Sequence, residues 1–524
     1  MKNVFSFLND LKILVPIIQR IKQAGGVAYL VGGSVRDLVL DLPVKDIDIE
    51  VHALALEQLE KVLEQFGKTE LVGKQFGVLR ISQLNVDWSL PRTDSVGRKP
   101  EVVINPNMDI KQALRRRDVT MNAMAIDLNE LADHFDALQK KSESGARYDA
   151  LFTIIDPYHG LEDMANKRLR AVDKDLFLED PLRFFRVMQF LGRFEMQPDA
   201  ELQEICRVMV LHDAVTSFDP SPFDKLREGG SGQAGRAFSP EHPELVEGRG
   251  IRMTGLARER IFEEIKKLLL KARRPSLGFR WLASLGRLKE LFPELYALIG
   301  VAQRPDFHPE GDVFEHTMQA LDAAAVLHDY QATENMSAED EKLMIMLATL
   351  CHDLGKAVTT DENLSCHGHD DAGEPLAYEL LKRVTDNVFL LKAVCKLVRN
   401  HMRPFTLARD KSSPRAYKRL ALALAPELSM RQIALLALAD TRGRNAASHE
   451  PLTEFIQEYD DFLEASARAR VTHAPEKPVL LGRHLLGLVP PGPAMGALLD
   501  AAYQIQIDEG ITDVEELKRR VLNQ

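Results

Sequence analysis

Cysteine is scarce in this chain of 524 residues: there are four, Cys206, Cys351, Cys366 and Cys395. None forms a CxxC pair, so a disulfide scaffold and a zinc-finger spacing are both excluded. Aromatic residues are few, at 6%, with two tryptophans. No apolar run approaches the roughly 20 residues that cross a bilayer. The N-terminal stretch MKNVFSFLNDLKILVPII is broken by Asn9, Asp10 and Lys12 and lacks a small-residue cleavage site. It reads as an amphipathic helix rather than a secretion signal, which makes the cytoplasm the expected compartment and a membrane partner unexpected. Positive charge is also in deficit, 67 Lys and Arg against 78 Asp and Glu, for a net charge of -11. That balance argues weakly against a polyanionic partner. Net charge hides distribution, however. Arg115, Arg116 and Arg117 are consecutive, and Lys167, Arg168, Arg170, Arg183, Arg186 and Arg193 follow. Lys266, Lys267, Lys271, Arg273 and Arg274 form another basic block. Each is either a solvated helix face or part of a basic cleft.

Hydrophobic residues at 45% and charged residues at 28% fit a globular protein with a full-sized core. At about 100–200 residues per domain the length suggests three or four units. Residues 1–24 read as a helix. VAYLVGG (27–33) reads as a strand entering a glycine turn, and SVRDLVLDL as a helix with Ser34 as its N-cap. KDIDIEV (45–51) alternates as a half-buried strand does. ALEQLEKVLEQFG reads as a helix ended by Gly67. FGVLRI (76–81) and NVDWSL (85–90) are further strands, MNAMAIDL (121–128) is strand or helix, and 140–153 is a small insert or hairpin. The first 155 residues thus form an α/β unit. From Ile155 the apolar period turns helical, over 169–194, 256–272, 277–290, 312–329, 338–352, 375–400, 413–440, 450–470 and 510–522. The expected fold class is α+β, a mixed-sheet head followed by an all-α remainder. Residues 221–250 are rich in Gly, Pro, Ser and charge without periodicity. They read as an exposed insertion that carries no chemistry, similar to peptides encoded by short repetitive genomic elements.

Gly32, Gly33 and Ser34 sit at a strand-to-helix turn. Glycines let the backbone approach a phosphate, and the N–H groups of a helix start can hold it. Arg36 adds a cation there, and Asp37 is expected to pair structurally with an arginine. Asp46 and Asp48 lie two apart in a strand, so both carboxylates share one face. Like charges there call for a divalent cation, and Mg2+ takes oxygen ligands while keeping room for substrate phosphate. Asp87, on a later strand, is a third carboxylate for the same metal or an outward residue.

These residues resemble the head of class II tRNA nucleotidyltransferases, the CCA-adding enzymes of the DNA-polymerase-beta-like superfamily, which also includes bacterial poly(A) polymerases. GGSVRD and DID are followed in order by SLPRTDS (89–95), RRRDVTMNAMAID (115–127), DPYHGLEDMANKRLRAV (156–172) and EDPLRFFR (179–186). The resemblance implies metal binding by Asp46 and Asp48. It implies nucleotide contacts from Gly33, Ser34, Arg36, Arg116, Arg117, Asp118 and Asn122. It implies reading of the C or A base edge by Asp180 and Arg183, with Arg186 one turn further on, and a role for Arg92 in moving from CTP to ATP. TDSVGRKPEV departs from the commonest family pattern in that region. The implied activity is addition of CMP and AMP, from CTP and ATP, to the tRNA 3′ acceptor end, with a poly(A) or partial CCA product as the alternative.

The helical half carries a second constellation. GDVFEHTMQALD holds His316, and LATLCHDLGKA places His352 and Asp353 at the end of an apolar helix. His369, His401 and Asp440 follow in order. Imidazole and carboxylate suit transition metals and magnesium. The series resembles the ligands of the HD phosphohydrolase superfamily. By that resemblance His316, His352, Asp353 and Asp440 hold a core metal, while His369 and His401 serve a second metal or a phosphate and His367 is spare. The metal would be Mg2+, Mn2+ or Ni2+, and the activities phosphatase, 2′-nucleotidase and 2′,3′-cyclic phosphodiesterase. The expected division is a head at 1–155, a helical neck and body at 156–300, an HD domain at 301–450 and a helical tail at 451–524, in a monomer or homodimer. The contrary reading is a working phosphohydrolase with a degenerate RNA-binding head.

Overall fold

The computed structural model describes residues 2–72, 77–82, 84–94, 102–211, 258–333 and 336–523. The expected insertion at 221–250 lies outside the described residues. Among the described residues the chain divides into two compact units, one holding 2–187 and 194–211, the other 188–193 and 258–523.

The first unit is built on a mixed sheet. Its strands are β1 (Val27–Val31), β2 (Ile47–His52), β3 (Thr69–Val72), β4 (Val78–Ile81), β5 (Val86–Ser89), β8 (Ala125–Asp127) and β9 (Ile154–Ile155); β6 (Arg92–Asp94) and β7 (Val102–Ile104) form a separate pair. The seven-stranded order is β3-β4-β5-β2-β1-β8-β9. Within this sheet, among the described residues, only β2 and β5 run parallel; its other neighbouring pairs are antiparallel. Alternation explains both faces. Ala28 and Leu30 of β1 are buried with Ile17, Ile18 and Ile21 of the helix Val15–Gln23 available to cover them. Val31 joins Leu114, Ala123 and Ala125 in a separate cluster. On β2 the apolar Ile49 and Val51 alternate with Asp48, Glu50 and His52, so one side of the strand is left polar.

Residues 1–24 form two helices, Lys2–Leu11 and Val15–Gln23, because Pro16 starts a new helix. Gly32, not Ser34, is the N-cap of the helix Gly33–Val39. The next helix, Leu56–Leu63, stops before Gly67 with Glu64 as its C-cap. In place of the small insert or hairpin expected at 140–153, the helices Phe135–Glu143 and Tyr148–Leu151 occupy this stretch. The span 375–400 is split between His369–Val384 and Val388–Asn400, where Asn387 caps the second helix by accepting from the Leu390 N–H. The span 413–440 is split between Pro414–Leu424 and Met430–Arg442, with Pro426 between them.

The second unit is helical. The helix Ala338–Cys351 is buried at every position from Leu343 to Cys351. A helix apolar on all sides belongs at the centre of a bundle, and here it packs with Val313–Ala325, Val388–Asn400 and Met430–Arg442. Residues 479–521 gather a small core of their own around Leu480, Leu485, Leu517 and Val521. No described helix is long and apolar enough to cross a membrane.

Candidate active sites

In the first unit β1 runs into Gly32, whose φ of 71° is a conformation that L side chains rarely adopt. A Cβ there would lie 3.0 Å from Nη1 of Arg117, so Arg117 lies over the turn. The Ser34 hydroxyl donates to the Asp46 carbonyl at 2.8 Å and accepts from the Asp48 N–H at 3.2 Å. The turn is thereby tied to the backbone that joins the two aspartates. Asp46 stands just before β2 and is exposed; Asp48 lies within it. Asp48 is in register with Asp87 on the parallel β5, which puts both on one face.

The electrostatics follow from that placement. Burial pushes the Asp48 carboxyl up; Arg117 opposes the rise, and Asp87 and Asp46 reinforce it. A half-buried carboxylate facing two others is an oxygen-rich site that suits a hard divalent cation. Asp87 also accepts from Arg80 Nε at 2.7 Å. Among the described residues, the groups whose ligand atoms all lie within 4.8 Å of one another are in the second unit, so the head carboxylates are more widely spaced.

Behind the carboxylates runs a buried polar chain. Arg36 Nε donates to Asp37 at 2.8 Å and its Nη1 to the Asn122 side-chain oxygen at 2.7 Å, with its guanidinium over the Phe194 ring. Asn122 donates to Asp118 at 2.8 Å, and Arg186 Nε donates to the other Asp118 oxygen at 2.6 Å. Burial alone would raise the Asp118 carboxyl, but Arg186, Asn122 and the Val119 N–H outweigh it and hold it at about 2. Arg183 donates to the carbonyls of Leu176 at 2.9 Å and Arg116 at 2.7 Å. Asp180 accepts from the Leu182 N–H at 3.0 Å. Arg92 lies on β6, in the separate strand pair. Glu50, missed in the sequence, is buried on the face of Asp48, 3.1 Å from His52 Nε2 and 3.9 Å from Arg117.

In the second unit residues from five places converge. His316 Nε2 lies 3.3 Å from His352 Nε2 and 3.1 Å from Asp440 Oδ1. His369 Nε2 lies 3.2 Å from His401 Nε2. Asp353 stands between the two pairs. Its Oδ2 is 3.3 Å from His352 and 3.7 Å from His316, and its Oδ1 is 3.5 Å from His369 and 3.7 Å from His401. Gly355 makes this possible, since a Cβ there would lie 1.9 Å from the His369 carbonyl oxygen.

The tautomers are set from behind. Nδ1 of His352 faces the Thr349 carbonyl at 2.7 Å, that of His369 the Cys366 carbonyl at 2.8 Å, and that of His401 the Val398 carbonyl at 2.6 Å. A carbonyl only accepts, so these rings carry hydrogen on Nδ1 and turn a bare Nε2 inward. Opposed lone pairs repel unless a cation lies between them. This donor set fits divalent ions at His316, His352 and Asp353, with Asp440 3.1 Å from His316, and at Asp353, His369 and His401; a further group, His308, Glu310 and His316, shares His316.

Three charged neighbours escaped the sequence reading. Lys356 lies 2.7 Å from Asp353, and Arg444 donates to Asp440 at 2.9 Å. Burial would raise both aspartates, yet Lys356 and Arg444 lead the interactions that hold them well below the usual range. Glu310 accepts from Nδ1 of His316 at 2.7 Å and of His308 at 3.0 Å; these bonds overcome burial and hold its carboxyl at about 2. The motif HPEGDVFEH, with its His-x-Glu pair shortly before His316, was the available signal. A cavity of about 280 Å³ opens on this centre, with His308, Lys356, Arg409 and Arg444 in its wall.

Family models match the regions that carry both sites. The family model described as the poly A polymerase head domain matches residues 28–170, and that of the HD domain matches 313–440. A third, described as a probable RNA and SrmB-binding site of polymerase A, matches 251–298. The multifunctional CCA protein of Mannheimia succiniciproducens is 32% identical over 424 residues, covering 79% of this chain and 84% of that protein. That of Tolumonas auensis is 31% identical over 463 residues, covering 85% and 92%. The chain belongs to the CCA-adding nucleotidyltransferase family, in the branch with a C-terminal HD domain. In fold it is similar to the Bacillus stearothermophilus CCA-adding enzyme solved with CTP, with a TM-score of 0.57 and 18% identity over 98% of each chain. The Thermotoga maritima CCA-adding enzyme solved with tRNA gives 0.53 and 17%, covering 98% of this chain and 95% of that one. Both describe architecture shared with the family at low identity.

Proposed function

We propose that this protein adds CMP and AMP, from CTP and ATP, to the tRNA 3′ end and releases pyrophosphate. The observation that carries the reading is the carboxylate set Asp46, Asp48 and Asp87 beside the Gly32 turn, in a chain of the CCA-adding family. Asp46 and Asp48 would hold Mg2+, with Asp87 as a third carboxylate on the same face. Bound there, the ion would polarise the α-phosphate and lower the pKa of the attacking hydroxyl. The terminal 3′ oxygen bonds to the α-phosphorus as the bond to the bridging oxygen of the leaving pyrophosphate breaks. Gly33 and Ser34 shape the turn, and Arg36 and Asn122 support it from behind. Arg116, Arg117 and Asp118 serve phosphate and sugar, with Asp118 positioned by Arg186. Asp180 accepts from the exocyclic amino group that C and A share, Arg183 donates to the ring acceptor, and Arg92 assists the change from CTP to ATP.

The second unit is proposed as a phosphohydrolase. His316, His352, Asp353 and Asp440 would hold one Mg2+, Mn2+ or Ni2+ ion, and Asp353, His369 and His401 another. We divide the chain accordingly into a head (1–155), a neck and body (156–300), an HD domain (301–450) and a tail (451–524). The deciding experiment offers tRNA lacking its CCA end with CTP, ATP or both. CCA-ended product with both nucleotides is expected. AMP addition without CMP addition sinks the CCA reading in favour of poly(A) or partial synthesis. Asp48→Asn should abolish incorporation and spare hydrolysis of a 2′,3′-cyclic nucleotide, and Asp353→Asn should do the reverse. Loss of both activities in one folded variant contradicts two independent sites.

A further inference from the structure

The strand that carries Asp48 bears a further carboxylate that no step of the proposed reaction uses. Glu50 follows Asp48 by two positions on β2, so both side chains leave the same face of the strand. Asp48 meets Asp87 on β5, whereas Glu50 meets Ser89 on β5 and Tyr29 on β1. The Glu50 side chain is buried, and a carboxylate is not left at that depth without partners. On one side its Oε1 lies 3.1 Å from Nε2 of His52. The His52 ring is itself held, with Nδ1 2.9 Å from the Met108 carbonyl and its edge packed on Tyr29 at a centroid distance of 5.1 Å. On the other side Glu50 Oε2 lies 3.9 Å from Nη2 of Arg117.

Arg117 is the less constrained member of this series. Its side chain is partly exposed, and its Nε has no hydrogen-bond partner among the described residues. Its Nη1 is the atom that a Cβ on Gly32 would meet, so the guanidinium lies over the turn. Two carboxylates of β2 attract it, Asp48 and Glu50. Pairing with Asp48 would set the guanidinium against the cation proposed for that carboxylate. Glu50 supplies a fixed negative charge further along the strand, held from behind by His52. It draws Arg117 to one side of Asp48 and leaves the guanidinium over Gly32, where the phosphates of a nucleotide would approach the turn.

We propose that Glu50 is a positioning residue for nucleotide addition: it holds Arg117 over the Gly32 turn to receive the triphosphate of the incoming nucleotide, and keeps Arg117 off Asp48. This rests on the nucleotidyl-transfer reading of the head. Because the contact is with phosphate, CTP and ATP depend on it equally. The full chain is titrated calorimetrically with CTP and with ATP in Mg2+ and without tRNA, so that nothing is transferred. Glu50→Gln keeps the volume and removes the charge, and both nucleotides should bind about five- to thirtyfold more weakly. Glu50→Asp keeps the charge on a shorter arm and should give an intermediate affinity. Arg117→Gln should weaken both nucleotides by itself, and adding Glu50→Gln to it should bring no further loss, because Glu50 acts through Arg117. Urea unfolding followed by Trp88 fluorescence shows which variants are folded, and if Glu50→Gln is not, the same cycle is read with Glu50→Asp. Weakening by the same factor with and without Arg117 marks a merely structural glutamate and overturns the proposal. So does unchanged affinity in the folded Glu50 variants, loss for one nucleotide only, or binding of neither nucleotide by the unaltered chain. CCA addition by a chain whose nucleotide binding ignores Glu50→Gln rejects this role alone. Coupling of Glu50 to Arg117 in a chain that adds no CMP to tRNA rejects the CCA reading alone.

Discussion

Replacing Asp118 with asparagine removes one charge and almost no volume, at a carboxylate only 6% exposed. In the native head that carboxyl is held at about 2 rather than its ordinary 3.8. At about 1.4 kcal/mol per pH unit, that difference corresponds to roughly 2 kcal/mol of stability for the ionised form. In Asp118→Asn the new side chain would keep an oxygen for the Val119 N–H and the Asn122 amide. Its own amide N–H would face Arg186 Nε, which in the native chain donates to Asp118 across 2.6 Å. Arg186 is 36% exposed and can turn toward water, so this clash adds little. The expected loss is therefore about 2–3 kcal/mol at pH 7. The sign with pH is set by the depressed value. The stabilisation is present in full above pH 4 and disappears as pH falls toward 2. The two tryptophans provide the assay, because Trp88 is buried in the head sheet and Trp281 lies in the other unit. In a Trp281→Phe background, urea unfolding followed by Trp88 fluorescence reports the head. A variant within about 0.5 kcal/mol of its parent at pH 7, or a deficit that does not shrink below pH 4, would refute the role given to this chain of bonds.

The other expectations concern the metals and the turn. Equilibrium dialysis of the chelator-treated chain against Mn2+ should show two tightly held ions in the second unit, one after His401→Ala and none after Asp353→Ala, because Asp353 alone faces both histidine pairs. Equal losses from the two variants would contradict the shared-carboxylate geometry. Gly32→Ala forces a Cβ into a conformation costing roughly 1–3 kcal/mol and against Arg117. It should weaken nucleotide binding more than metal binding, as measured by separate titrations with CTP and with Mg2+; unchanged CTP affinity would show that the turn does not shape the nucleotide site.

Local patterns carried much of the reading. Alternation in KDIDIEV marked a strand with acid on one face, and the register of β2 with β5 sets Asp87 beside Asp48. LATLCHDLGKA read as the end of an apolar helix, and the helix Ala338–Cys351 is buried throughout from Leu343 to Cys351. Boundaries were less legible. Pro16, Asn387 and Pro426 each mark a helix break that a smooth apolar period concealed. Ser34 looked like a cap, but its hydroxyl serves β2 instead, a choice that depends on where the next strand lies.

The amino-acid order by itself determined the two kinds of chemistry. Residue type and short spacing select carboxylates for one strand face and place His352 and Asp353 together at a helix end, and those are properties of a few neighbouring positions. Tertiary structure alone decided what each group faces. The hydrogen-bond chain from Asp37 through Asn122 to Arg186, and the five separate segments that bring His316, Asp353, His369, His401 and Asp440 together, join residues far apart in the chain. Whether a carboxylate is ionised, which imidazole nitrogen is bare and which cation answers it depend on distances of a few ångströms across packed elements. Sequence spacing holds no record of those distances.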